Sequence, residues 1–245
     1  MSIDESTMSA TEATIGIDEA TMSTSESAKT KKKRPTPAEQ DVELANFISQ
    51  SRVTIETILT TPEILALLPK RYTVAKLNEG LALQSTAQNS FTARQTAIGD
   101  ETAANTAVTE GRKAAYDRYV HFRETARAEF RGQAERQALG MVGTIPVDTE
   151  KLLTQAKASY TAAGQAPYAT ALEDLGYDAA GRSAALATVT TLQTARATQE
   201  MRRTAAIAAT KARNADAKTL REWMQALHRV TKASLRNRPG LLGRL

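Results

Sequence analysis

Two long stretches without proline, 73–137 and 178–236, constrain this chain more than any other feature of its sequence. Ala, Glu, Gln, Arg, Lys and Thr fill most of their positions, and this composition favours helix. At 1.5 Å per residue, a helix of roughly 60 residues is about 90 Å long. The sequence therefore predicts two long helices.

The two stretches are related by a shift of 105 positions, which needs no gap from residue 42 to the end of the chain. The shift places Tyr72 on Tyr177 and Leu81 on Leu186. We interpret this pattern as an internal duplication. Because only a short helical hairpin connects the long helices, we expect the second to return along the first. The predicted fold is all-α, an elongated antiparallel helical bundle from two tandem repeats with pseudo-twofold symmetry.

Start and stop signals predict where the helices begin and end. Thr36, Pro37 and Glu39 supply an N-cap, a first helical residue and a capping-box acid, so a helix should begin there. Thr73 caps the first long helix, which can continue until Gly140 stops it.

Composition divides the chain into a tail, 1–36, and two helical repeats, 37–140 and 141–245, packed as a single domain. The tail contains Ser, Thr, Glu and Ala with few large apolar groups, so it is predicted to be disordered and flexible when alone. Its segment 3–9 recurs at 17–23. Two interpretations remain open: a solubilising tail, or a peptide that docks on another subunit.

Small residues recur at four-residue intervals in the long stretches. They are Gly99, Ala103, Ala107, Gly111 and Ala115 in the first stretch, and Ala208 and Ala212 in the second. In a helix this row leaves a shallow groove that a neighbouring helix can approach closely, so we predict a helix-contact row. The alternative is a break near Gly111 and Asp216 that gives a compact bundle, since a mid-helix glycine costs about 1 kcal/mol relative to alanine.

The residues that usually carry chemistry are sparse. The chain has no cysteine, which excludes disulfides, thiolate metal sites and cysteine nucleophiles. Its two histidines, His121 and His228, lack the further ligands that a metal site needs. No phosphate-binding glycine loop, nucleophile elbow or nucleotide fingerprint is present. We therefore predict no catalytic, cofactor or metal site and no enzyme activity.

The net charge of +5 conceals an uneven distribution. Residues 1–28 contain acids and no Lys or Arg, a basic run follows directly, and the last third of the chain is basic. The candidate anion or partner contacts are Lys31, Lys32, Lys33, Arg34, Arg202 and Arg203. The acidic and basic ends can attract each other within one chain or between chains. Nucleic-acid binding by the basic C-terminal helix is the alternative, although no aromatic residues are interleaved there for stacking.

The chain shows no run of some 18 apolar residues, so no membrane span is expected. Its first residues lack the basic and then apolar pattern of a signal peptide. We expect a cytoplasmic protein, or one exported without a recognisable signal.

The turns at Tyr72 and Tyr177 are each followed by a long helix rich in Ala, Gln and Arg. These helices end in Arg-Ala-Glu-Phe-Arg131 and Lys-Ala-Ser-Leu-Arg236. Over residues 42–240 this arrangement resembles a set of uncharacterised bacterial proteins built from the same duplicated unit. The resemblance implies no activity and no site. The sequence as a whole predicts a structural or scaffold protein that acts either through self-association, as a homo-oligomer, or through binding a protein partner.

Overall fold

The computed structural model describes residues 36–244, and within that range the chain forms helices, turns and short loops without a strand. The helices are α1 Pro37–Thr60, α2 Pro62–Leu67, α3 Val74–Glu129, α4 Gln133–Ala138, α5 Thr149–Ala162, α6 Tyr168–Glu173, α7 Ala179–Ser234 and α8 Pro239–Leu242. The all-α prediction is confirmed. Apart from Thr36, the tail and its predicted disorder lie outside the described residues.

Side-chain caps fix the starts of the three longest helices. The Thr36 hydroxyl accepts from the Glu39 backbone N–H at 3.3 Å, and the Glu39 carboxylate accepts from the Thr36 N–H at 2.6 Å. This is the predicted capping box. Thr73 and Asp178 each accept from the backbone N–H three residues later, at 3.3 and 2.7 Å. The chain therefore enters α1, α3 and α7 at defined residues.

The two longest helices are uninterrupted. α3 and α7 contain 56 residues each and are about 84 Å long at 1.5 Å per residue. Both continue as helix through Gly111 and Asp216, so the alternative in which each long helix breaks there does not hold.

α3 ends at Glu129, well before the stop expected at Gly140. Phe130 leaves the helical region with a ψ of 106°, and its buried ring packs edge-on against Tyr168, with ring centroids 5.4 Å apart. Because this contact requires Phe130 to turn inward, the chain leaves the helix and then forms the short α4. A residue distant in sequence therefore decides where α3 ends.

α7 returns along α3. The contacting pairs, in order along α3, are Gly80–Trp223, Asp100–Arg202, Asn105–Gln199 and Gly111–Leu192. Residue numbers on α7 fall as those on α3 rise, so the two helices run in opposite directions.

The buried positions of both helices alternate at spacings of three and four residues towards the helix ends. They include Leu77, Gly80, Gln84, Ala87, Phe91, Ala115, Tyr119 and Phe122 on α3, and Ala185, Val189, Leu192, Ala217, Leu220, Met224 and Leu227 on α7. A mean spacing of about 3.5 residues is that of a coiled-coil seam. The shorter helices then complete a core at each end of the pair.

Each end core combines one short helix hairpin with both long helices. The first end core packs α1 and α2 on the start of α3 and the end of α7, and is mainly aliphatic, with Ile48, Ile55 and Ile58 fully buried. The second end core packs α5 and α6 on the end of α3 and the start of α7. It is aromatic, with the Phe122 ring lying 5.1 Å from Tyr160 between centroids.

Gly80 makes room for the only tryptophan of the chain, Trp223. A Cβ added at Gly80 would lie 2.2 Å from the indole ring. We expect Gly80→Ala to displace the ring and to lower the free energy of unfolding by about 1–2 kcal/mol, even though alanine is the better helix former. Urea unfolding measures the loss, and the Trp223 emission should shift to longer wavelength.

Gly99→Ala is the matched control, because no atom lies within 4 Å of a Cβ added there. That variant should gain up to about 1 kcal/mol from helix propensity, with unchanged emission. A Gly80→Ala protein that is stabilised to the same extent with unshifted emission would contradict the packing of Trp223.

Burial in the second end core raises the pKa values of Tyr119, Tyr160 and Tyr177 above the ordinary value of 10.0. The folded chain therefore holds these phenolic protons more tightly than the unfolded chain does. The resulting stability is complete below about pH 10 and is lost as the pH rises. We expect cooperative unfolding above about pH 11, with tyrosinate absorbance and circular dichroism changing together.

Tyr160→Phe should move this transition to higher pH. The Tyr160 hydroxyl makes no hydrogen bond to the described part of the chain, so little is lost with it. Tyr72→Phe, at the other end of the molecule, should leave the midpoint unchanged. Equal midpoints for the two variants would show that the second end core does not control the alkaline transition.

Candidate interaction surfaces

Only the last two members of the predicted row on α3, Gly111 and Ala115, meet α7. A Cβ added at Gly111 would lie 3.6 Å from Leu192, and Ala115 is buried. The exposed members of the predicted rows are Gly99, Ala103, Ala107, Ala208 and Ala212. The expectation of one continuous contact row is therefore corrected.

Helix geometry explains the correction. Residues four apart advance by about 400° around a helix, so a strict four-residue row winds about 40° further at each step. The row starts on the solvent side at Gly99 and reaches α7 only at Gly111. The alternation of three and four residues seen in the buried positions keeps one side of α3 facing α7 throughout.

Asp41 of α1 joins both long helices. Its carboxylate accepts from Arg94 of α3 at 2.6 Å and from Arg213 of α7 at 2.5 Å. The side chains are largely buried, 24% exposed for Asp41 and 13% and 12% for the arginines. Sequence reasoning missed this cluster because its members are 53 and 172 residues apart and no local pattern connects them.

α5 is attached in a similar way, on the other side of the middle of the helix pair. Glu150 of α5 forms an ion pair with Arg196 of α7. The Val147 carbonyl, just before α5, accepts from the Arg112 guanidinium of α3 at 2.6 Å. α1 and α5 thus each contact both long helices through polar bonds near their N-termini.

Between these two attachments, none of the helices in the described part of the chain covers α3 and α7. Positions seven apart on α3 face nearly the same side, and in this row Leu77, Gln84 and Phe91 are buried, Ile98 and Asn105 are exposed, and Tyr119 is buried again. From Arg94 to Arg112 there are 18 residues, or about 27 Å.

We call this uncovered region the central gap. On α3 it includes Ile98 and Asn105. On α7 we assign to it Arg203, which lies seven residues after Arg196 and so faces nearly the same side, and Ile207 one turn further. Ile98 is 37% exposed and Ile207 is 50% exposed. Within residues 36–244, the central gap therefore leaves apolar side chains exposed between the starts of α1 and α5.

A second uncovered surface, the open groove, runs along another side of the pair and encloses about 750 Å³. Its lining residues are Ala104, Ala107, Ser183, Leu186, Ala187, Thr190, Thr191, Thr194, Ala195 and Thr198. Around α7, the residues that line the groove point away from the residues that lie beside Glu150 of α5. At 100° per residue, the centres of these two sets are about 140° apart. The groove thus lies away from the side that α5 covers.

Two of the threonines that line the open groove bond to their own helix. The Thr190 and Thr191 hydroxyls donate to the carbonyls of Leu186 and Ala187, at 3.1 and 2.9 Å. None of the described side chains that line the groove is charged. The groove surface is therefore mostly methyl and methylene groups.

The predicted basic contacts have different environments. Arg202 donates to Asp100 at 2.8 Å. Arg203 is exposed and forms no ion pair with the described residues. The basic run 31–34, which contains Lys31, Lys32, Lys33 and Arg34, lies outside the described residues. The two arginines are therefore not equivalent as candidate partner contacts.

The histidines and acids form no metal cluster within residues 36–244. His121 Nδ1 lies 2.8 Å from the Tyr177 hydroxyl and is thereby engaged in the second end core. No helix in the described range combines the length and apolar character needed to cross a bilayer.

Removing the Asp41 charge should loosen the attachment of α1. Asp41→Asn leaves Arg94 and Arg213 close together without their common acceptor, so we expect a loss of about 1–3 kcal/mol in the free energy of unfolding. The control is Glu56→Gln, which breaks the exposed pair with Arg52 and should cost less than about 0.5 kcal/mol. Equal losses in urea unfolding would refute the special role of Asp41.

Comparison of the chain with protein-family models, with curated proteins and with solved structures gives no match. The resemblance to bacterial proteins of duplicated design therefore stays a prediction. The central gap and the open groove are the features from which a function has to be inferred.

Proposed function

We propose that this is a non-enzymatic structural or scaffold protein that acts by self-association, with the open groove as the surface that meets a second copy. The observation that carries the proposal is the one-sided covering of the long helix pair. α1 and α5 cover the two end portions of the pair. Among the described helices, no third one lies on the groove side along Ala104 and Ala107 of α3.

The proposed architecture is an elongated antiparallel bundle of two tandem repeats with pseudo-twofold symmetry. Adding 105 to both bounds of α3, Val74–Glu129, gives the bounds of α7, Ala179–Ser234. The same shift brings α2, Pro62–Leu67, to within one residue of α6, Tyr168–Glu173. These correspondences support duplication. The length of α3 and α7, 56 residues each, gives the molecule an extended shape suited to lengthwise association.

The chemistry of the open groove favours a second copy as its partner. In a twofold contact the same surface meets itself, so any charge on it faces an identical charge. The groove avoids this repulsion because its lining is alanine, threonine, serine and leucine. Small side chains also let helices approach closely. The central gap, with Arg203 at its centre, is less suited to such a contact.

Nucleic-acid binding has less support. Arg196, Arg202 and Arg213 of α7 are paired with Glu150, Asp100 and Asp41 of the same chain. Ion pairs of this kind reduce the positive charge available to phosphates. The basic composition of α7 therefore serves, in part, to hold the bundle together.

Sedimentation velocity over a range of protein concentrations tests the proposal. The full chain should pass from monomer to dimer as its concentration rises. Thr190→Glu places like charges opposite each other in the groove and should weaken association at least about tenfold, or about 1.4 kcal/mol. Thr161→Glu, an exposed threonine of α5 with the same type of internal hydrogen bond, should associate as the unmodified chain does.

Two outcomes would contradict the proposal. One is a full-length chain that remains monomeric at the highest concentration reached. The other is an equal effect of the Thr190 and Thr161 substitutions, which would place association outside the open groove.

A further inference from the structure

The chain enters the described part of the molecule at the edge of the central gap. Asp41 contacts Arg213, and Phe47 lies beneath Arg221, whose guanidinium is 5.5 Å from the ring centroid. α1 therefore runs parallel to α7 and away from Ile207. Thr36 precedes Asp41 by five residues, so residues 1–35 are attached to the end of α1 that points into the central gap.

Residues 1–35 are long enough to reach every part of the central gap. Each of the related segments 3–9 and 17–23 contains seven residues, which span up to about 23 Å. The central gap is about 27 Å long, measured along α3 at 1.5 Å per residue. Twelve residues, 24–35, separate the second segment from Thr36 and reach up to about 40 Å.

The side chains of these segments match those of the central gap. Each segment has one isoleucine and one methionine, while the gap exposes Ile98 and Ile207. Each also has an adjacent Asp-Glu pair. Arg203 and Lys211 lie one turn before and one turn after Ile207, and neither forms an ion pair with residues 36–244. Apolar and charged groups are thus complementary.

We propose that residues 1–35 bind in the central gap of their own molecule and cover Ile98 and Ile207. The acidic pair of a segment then lies against Arg203 and Lys211. This inference goes beyond self-association and does not depend on it, because the central gap and the open groove lie on different sides of the helix pair.

Because residues 1–35 are covalently attached to α1, they bind the central gap of the same molecule in preference to that of a second copy. A binding segment on a short tether has an effective concentration in the millimolar range when the tether can span the distance. Residues 24–35 form a tether long enough to span the distance from Thr36 to the central gap. A second molecule at micromolar concentration competes poorly against that value, so the occupied gap is expected to belong to the same chain.

The absence of cysteine makes a direct test possible, because introduced thiols are the only ones present. Ser23→Cys is combined with Thr102→Cys, which lies one turn after Ile98 beside the central gap. The matched control combines Ser23→Cys with Ala107→Cys, which lines the open groove five residues further on α3. Both sites are exposed and both are within reach of residue 23.

Equilibration of the dilute full-length proteins in glutathione buffers gives the effective concentration of each thiol pair. We expect the Thr102 pair to form the intramolecular disulfide at least tenfold more readily than the Ala107 pair. Equal values, or a preference for Ala107, would overturn the proposal. Disulfide-linked dimers as the main product would overturn the assignment to the same molecule.

A charge variant tests the proposed contacts independently. Arg203→Glu combined with Lys211→Glu should lower the effective concentration of the Thr102 pair at least fivefold. Arg236→Glu combined with Arg238→Glu makes the same charge change near the end of the chain. This control should leave the effective concentration of the Thr102 pair unchanged. Equal effects of the two double variants would refute the role of Arg203 and Lys211. Sedimentation of the same proteins reports on self-association separately, so either proposal can fail alone.

Discussion

The lengthwise contact between α3 and α7 is the constraint on which the rest of the structure depends. Two helices of 56 residues cannot bury a broad core between them, and aromatic residues make up only 4% of the chain. Bulky side chains are therefore concentrated at the ends of the pair, where α1 with α2 and α5 with α6 enclose them. The centre is held by polar bonds such as Asn105–Gln199 and by small residues such as Ala104 and Ala206.

The division between ends and centre also explains the two candidate surfaces. A short helix that packs its apolar side into an end core has no comparable side chains to bury further along the pair. α1 and α5 therefore begin within about one turn of the ion pairs of Asp41 and Glu150, and no other described helix covers the region between them. The two sides differ in chemistry. The central gap carries cations beside isoleucine that form no ion pair with residues 36–244, whereas the residues that line the open groove carry no charge.

Local signals in the sequence were sufficient for the starts of the long helices. They were insufficient for the end of α3 and for the contacts between helices. The caps at Thr36, Thr73 and Asp178 depend on residues within three positions, so they were predictable. The inward turn of Phe130 depends on Tyr168, which lies 38 residues later, and it was missed. The small-residue row failed for a different reason, because residues four apart drift around the helix and leave the side that faces α7.

The hydroxyl groups of Thr190 and Thr191 affect how well water wets the open groove. A threonine whose hydroxyl is already bonded to its own backbone offers an approaching molecule little more than its methyl group, much as valine does. Hydropathy scales nevertheless score such a residue as polar, and the mean hydropathy of this chain is −0.39. The wetting of this surface is therefore poorer than its composition suggests, and contact with another such surface releases water at little cost in lost hydrogen bonds.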